Sequence, residues 1–365
     1  MRKFLLKFLL VAVGAAALLL LLNQIYRLDH ANRYHELDKF GDIAGFDDRI
    51  LIANVGSSHG EYDFSYDALR ARGYTCFNFG LSSQNFELDY AVLQQYREEL
   101  SPGGIVFIPI SYFSFNDEVV SEKEKEERAV RYYQFLSPQY IPDYDWYVDL
   151  TTHRLPILTA GYKVLEVPLH LYEQSRAAGL FTLRAYAAES GEQEASESGA
   201  AAGSESSAEQ ALSGNEASSK SESGEEQPDA ETIARFEEIG LLRYQRHLEN
   251  KSEYFEPEQI EFLRRIIQLC REQGMTPVLV TPPFTHYYTD YISEDWMYQF
   301  YEVIVQICKE EGVTYYDYGE DPRFTDSLQY FGDPDHLNTE GAAYFMEILE
   351  QEIPEFAEAL AQNQK

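Results

Sequence analysis

Short apolar runs alternate with amphipathic helices on both sides of a long Ser/Gly/Ala/Glu-rich stretch, and this alternation narrows the fold of the 365-residue chain more than any other feature. Before that stretch, residues 48–55 (DRILIANV), 74–79 and 105–110 read as strands, with helices at 66–72 and 86–100. After it, 257–273 reads as a helix closed by Gly274, 276–281 as a strand, 294–311 as a helix closed by Gly312 and 314–318 as a strand. Thr339 is placed to cap a last helix running to about Glu352. Strands separated by helices of this length imply parallel pairing with both sheet faces covered. The expected fold is α/β, a three-layer α/β/α sandwich on a parallel sheet.

Residues 189–231 hold almost no large apolar side chains. Such a segment cannot bury enough surface to offset its chain entropy and is expected to be disordered. It falls inside a region, 121–256, that breaks the strand–helix alternation and is expected to hold helices near 121–136, 160–187 and 231–248. We read that region as a helical insertion on the carboxyl edge of the sheet, where ligand loops of such folds gather.

Residues 4–22, FLLKFLLVAVGAAALLLLL, are apolar except for Lys7 and long enough to span a bilayer. A cleaved signal needs a small-x-small site just after the apolar stretch, and here Ala15, Ala16 and Ala17 precede five leucines. An uncleaved anchor is therefore expected over 1–30. Arg2 and Lys3 hold the N-terminus in the cytoplasm, which places the rest outside.

With 62 acidic against 29 basic side chains, the net charge of -33 argues against binding nucleic acid or anionic lipid. The three cysteines, Cys76, Cys270 and Cys308, show no C-x-x-C spacing, so neither a disulfide scaffold nor a structural zinc site is expected. No cofactor is implied.

Two segments carry candidate chemistry. Gly56-Ser57-Ser58-His59-Gly60 ends the first strand, and glycines on both sides let a strand turn sharply into a helix with a serine oxygen at the apex. An ordinary polar turn has the same composition. Gly332-Asp333-Pro334-Asp335-His336-Leu337-Asn338 precedes the last helix, and a carboxylate three residues before a histidine can accept its Nδ1 proton, freeing Nε2 to act as a base. A capped surface turn or part of a metal site would also fit. In an α/β-hydrolase the nucleophile follows several strands and the acid lies apart from the histidine, an order this chain does not follow.

On these residues the chain resembles the SGNH, or GDSL-like, hydrolase superfamily over 45–120 and 257–352. Gly56-Ser57-Ser58 is similar to its first block, Asn78-Phe79-Gly80 to its second and Asp333 with His336 to its last. The third block, with its oxyanion asparagine, has no counterpart: the place reads Ile110-Ser111-Tyr112-Phe113. The resemblance implies Ser58 as nucleophile, His336 as base, Asp333 as its orienting acid, and Ser58 and Gly80 as backbone oxyanion donors, with Ser111 or Asn85 as substitutes for the absent asparagine. With its anchor and outward catalytic domain, the chain resembles the membrane-tethered branch that works beside multi-spanning O-acyltransferases, including envelope-polysaccharide acetylation proteins and the D-alanine-transfer partner of teichoic acid synthesis. The resemblance implies a serine esterase or O-acyltransferase acting on acyl, above all acetyl, groups of cell-envelope glycan. A catalytically inactive scaffold partner of the membrane acyltransferase is the other expectation.

Overall fold

In the computed structural model, residues 1–30, 35–116, 122–161, 229–249, 255–325 and 327–363 are described. The chain divides into two compact units, Met1–His35 with Leu150–Ser223 and Glu36–Asp149 with Gly224–Lys365.

In the first unit, helix α1 (Arg2–His30) contains, within Arg2–Arg27, a stretch of 18 residues with mean hydropathy 2.7 and no burial inside the protein, long and apolar enough to cross a membrane. Where the apolar run ends, the helix stops facing outward. Asn23 and Tyr26 are buried; the Asn23 carboxamide donates to the Arg154 carbonyl at 3.0 Å and accepts the Ile157 N–H at 3.3 Å.

The second unit is built on a five-stranded parallel sheet of order β2-β1-β3-β4-β5: β1 (Ile50–Asn54), β2 (Cys76–Asn78), β3 (Leu100–Pro109), β4 (Thr276–Thr281) and β5 (Thr314–Asp317). The pleat sends alternate residues to opposite faces. Ile52, Cys76, Ile105, Phe107, Val278 and Val280 pack with Phe345, Leu349 and Phe356 of the two C-terminal helices. On the other face Phe77 meets Phe40, which stacks against Tyr96 of the helix Phe86–Tyr96. Each fully buried ring contributes about 1.5–3 kcal/mol. Helices thus lie against both faces.

Every strand expected from the sequence forms, Thr276–Thr281 over the expected residues and the other four with shifted ends. β3 begins at Leu100, not 105, because Ser101-Pro102-Gly103-Gly104 continues the strand with Gly103 at φ +81; the helix before it therefore ends at Tyr96. The last long helix, Thr339–Glu352, is capped by Asn338, whose Oδ1 accepts the Gly341 N–H at 2.9 Å; Thr339 is its first helical residue. A further helix, Pro354–Gln362, and a small antiparallel hairpin, β6 (Phe331–Asp333) with β7 (His336–Leu337), carried too little periodicity to be read.

The region 121–256 is not one separate body. Helices Glu122–Tyr132 and Ala230–Tyr244 belong to the compact unit that holds the sheet, and Ala230 and Glu231 are already helical. Residues 189–228 of the expected disordered stretch, and the helix expected over 160–187 beyond residue 161, lie outside the described residues. Helix Ala230–Tyr244 approaches the loop after β4 at Gly240, where a Cβ would overlap the Tyr287 carbonyl.

Candidate active site

The site starts at the carboxyl end of β1. Gly56 takes φ +115, a conformation that L side chains rarely adopt, and turns the chain sharply into the short helix Ser58–Tyr62. Its N–H donates to Asp89 Oδ1 at 2.8 Å, and Asp89 also accepts from Gln84 Nε2 at 2.5 Å. Burial pushes the Asp89 carboxyl up to about 7 against those hydrogen bonds. Beneath the turn, Asn54 on β1 donates to the Gly60 carbonyl at 2.7 Å and accepts from Tyr66 Oη at 3.0 Å. The apex is thus held from both sides, and Ser58 stands half-buried on it.

The other half comes from the opposite end of the chain. β6 and β7 form a tight hairpin around Pro334, whose carbonyl accepts from both the N–H and the hydroxyl of Thr285 at 3.0 and 2.8 Å. Inside this turn Asp333 Oδ1 accepts the backbone N–H of His336 at 2.9 Å, and both Asp333 oxygens lie 2.9 Å from His336 Nδ1. On the far side of the ring, His336 Nε2 lies 2.7 Å from Ser58 Oγ. Burial alone would depress His336, but the Asp333 and Asp335 carboxylates outweigh it and raise the imidazole to about 9. Asp333 is held well below the ordinary carboxylate range: burial opposes this, but the charge and hydrogen bond of His336 and the charge of Arg243 overcome it. Ser58, His336 and Asp333 therefore form one continuous hydrogen-bonded line.

The expected oxyanion donors divide. Gly80 comes against the helix Ser58–Tyr62 so closely that a Cβ would overlap the Gly60 carbonyl carbon and the Glu61 nitrogen. Its N–H, however, donates to Asn78 Oδ1 at 2.8 Å. The expectation of a free Gly80 donor is corrected: the glycine is needed for close approach. Ser111 is also committed, its hydroxyl in a short hydrogen bond with His59 Nδ1. Asn85 caps the helix Phe86–Tyr96 by accepting the Leu88 N–H at 3.1 Å and lines a cleft with Gly56, Ser57, Asn116 and Arg128. Of the two substitutes, Asn85 is the one with a carboxamide in that cleft.

Sequence reasoning missed what lies behind His336. Arg243, from the end of helix Ala230–Tyr244, donates to Asp333 Oδ2 at 3.5 Å and places its Nε 3.6 Å from Asp335 Oδ1. His247 follows on a π-helical turn, Gln245–Glu249, with its Nδ1 3.1 Å from Tyr288 Oη. No local motif marks either residue; long-range packing brings them in, through the close approach at Gly240 and the contacts of His247 with Phe113 and Asn116. His59, Asp335 and His336 offer three possible ligand atoms within 4.8 Å of one another. Both nitrogens of His336 are already hydrogen-bonded and a guanidinium adjoins Asp335, so this donor set suits a charge network better than a divalent ion. The three cysteines are free thiols, with Cys76 and Cys270 buried.

A family model for an uncharacterised family matches residues 229–358. That span holds Arg243, His247, Asp333, Asp335 and His336 and leaves Ser58 outside. No curated protein matches the chain.

Proposed function

We propose that the chain is a membrane-anchored serine esterase or O-acyltransferase of the SGNH type, acting outside the cytoplasm on acyl groups, acetyl foremost, of cell-envelope polysaccharide. The observation that carries this reading is the unbroken line from Ser58 Oγ through the His336 ring to Asp333. The strand order, with the serine after β1 and the Asp–His pair after β5, supports the SGNH assignment.

Neutral His336 takes the Ser58 proton at Nε2 as Oγ attacks the ester carbonyl, and Asp333 holds Nδ1–H and stabilises the imidazolium. The oxyanion is met by the Ser58 backbone N–H and the Asn85 carboxamide; one such donor is worth about 10²–10³-fold in rate. The imidazolium protonates the departing alkoxide, leaving an acyl-Ser58. His336 then deprotonates the acceptor hydroxyl, which attacks the acyl carbonyl and returns Ser58. Water as acceptor gives hydrolysis; a glycan hydroxyl gives transfer. Anchoring by α1 favours transfer, because an acyl donor delivered by a multi-spanning O-acyltransferase emerges at the membrane.

A catalytically inactive scaffold for such an acyltransferase is the second reading, favoured by the committed Gly80 N–H and the absent third block. A fluorophosphonate probe decides between them. Labelling of the full chain that disappears in Ser58→Ala supports the enzyme; a folded wild type that never labels supports the scaffold. Mass spectrometry of an acetyl ester incubated with an acceptor oligosaccharide then separates transfer from hydrolysis.

A further inference from the structure

Asp335 is wholly buried, and neither carboxylate oxygen has a hydrogen-bond partner among the described residues. A carboxylate so placed persists only where nearby charge compensates the lost water. Four nitrogen groups surround it. Arg243 Nε and His336 Nδ1 each lie 3.6 Å from Oδ1, while His59 Nε2 and His247 Nδ1 each lie 3.9 Å from Oδ2. Of these four, only the guanidinium is charged at every working pH. Its Nη2 also reaches Asp333, so a single cation spans both acids that face the His336 ring.

We propose that Arg243 and Asp335 are positioning residues that together fix the His336 imidazole and balance the charge around it, so that the relay depends on helix Ala230–Tyr244. The inference rests on reading His336 as the base. Burial, reinforced by Asp333, raises the Asp335 carboxyl, and the charges of His336 and Arg243 act against this to favour its ionised form. With both carboxylates ionised and His336 neutral, Arg243 leaves a single negative charge at the ring; an imidazolium brings the cluster to neutrality. Without Arg243 two negative charges would hold the proton on His336. Without the Asp335 charge, the proton would leave more readily.

The other groups facing the ring do not supply this balance. Burial, reinforced by His336 and His247, holds His59 well below the ordinary histidine range. Burial likewise pushes Asp63, at the end of helix Ser58–Tyr62, well above the carboxylate range. Tyr62 meets the ring edge-on at 5.7 Å and Ser58 is the nucleophile itself.

The test uses the full chain in detergent micelles, with two readouts: the pH dependence of fluorophosphonate labelling and ¹⁵N NMR titration of the His336 ring. Asp335→Asn should move the acid limb of labelling to lower pH by about one unit or more, a tenfold faster reaction at a fixed pH on that limb. Arg243→Met should move it upward by a similar amount, Arg243→Lys should stay near wild type, and the double variant Arg243→Met with Asp335→Asn should return towards wild type. Limbs that coincide with wild type in Asp335→Asn, or that move the same way in both single variants, overturn the proposal. If the NMR titrations shift as stated but the wild type never labels, the charge balance stands and the reading of His336 as a base fails. Should Arg243→Met not fold, Asp335→Asn alone decides.

Discussion

The Asp63 carboxyl accepts the backbone N–H of Leu337 at 2.9 Å. Asp63 closes the short helix that begins at Ser58, and Leu337 follows His336, so this one bond fastens the helix carrying Ser58 to the strand carrying His336. Asp63→Ala should leave the Leu337 N–H without a partner and cost about 1–3 kcal/mol. Asp63→Asn keeps the acceptor and mimics the protonated carboxyl that burial favours. Thermal unfolding and probe labelling should both fall for alanine, while labelling stays within about threefold of wild type for asparagine. Equal losses in both variants would sink the tethering role.

Asp333→Asn should reduce labelling by about 10³–10⁴-fold, because the amide presents its N–H to His336 and favours the wrong tautomer. Circular dichroism should stay unchanged. Labelling at the wild-type rate would mean that Asp335 orients the ring.

The pH dependence of stability should carry a term from Asp89. Its folded-state pKa, about 7, lies above the unfolded value, so the stability it contributes is full below about pH 4 and is lost as pH rises through 7. Compared with wild type, Asp89→Asn should become progressively more stable between about pH 4 and 7 and then level off. Urea unfolding at pH 5 and pH 8 checks this; a difference that does not change with pH refutes it.

Two glycine substitutions should separate close approach from backbone strain. Gly80→Ala drives a methyl into the backbone of the helix Ser58–Tyr62 and should cost about 2 kcal/mol or more, with loss of labelling. Gly312→Ala faces open space but sits at φ +62, so it should cost about 1 kcal/mol and leave labelling intact. Denaturant midpoints measure both.

Membrane placement is testable by fusion. A phosphatase reporter at the C-terminus should be active and a fluorescent reporter that folds only in the cytoplasm should be dark. The reverse result would turn the protein over in the membrane and remove envelope glycan as substrate.

The sequence alone determined the elements whose signals are local. Strand Thr276–Thr281 and helix Glu294–Glu311 form over the residues read from periodicity and from Gly312, because alternation, capping and a left-handed glycine act within a few residues. The turn at Gly56 and the Asp333–His336 spacing were legible for the same reason. Tertiary structure alone decided what depends on distant partners: that Ser58 and His336 meet, that the Gly80 N–H and the Ser111 hydroxyl are committed to Asn78 and His59, and that Arg243 stands behind the ring. No local pattern announces that such partners meet, since a hydrogen bond or an ion pair is set by separation in space, and chain packing supplies that separation.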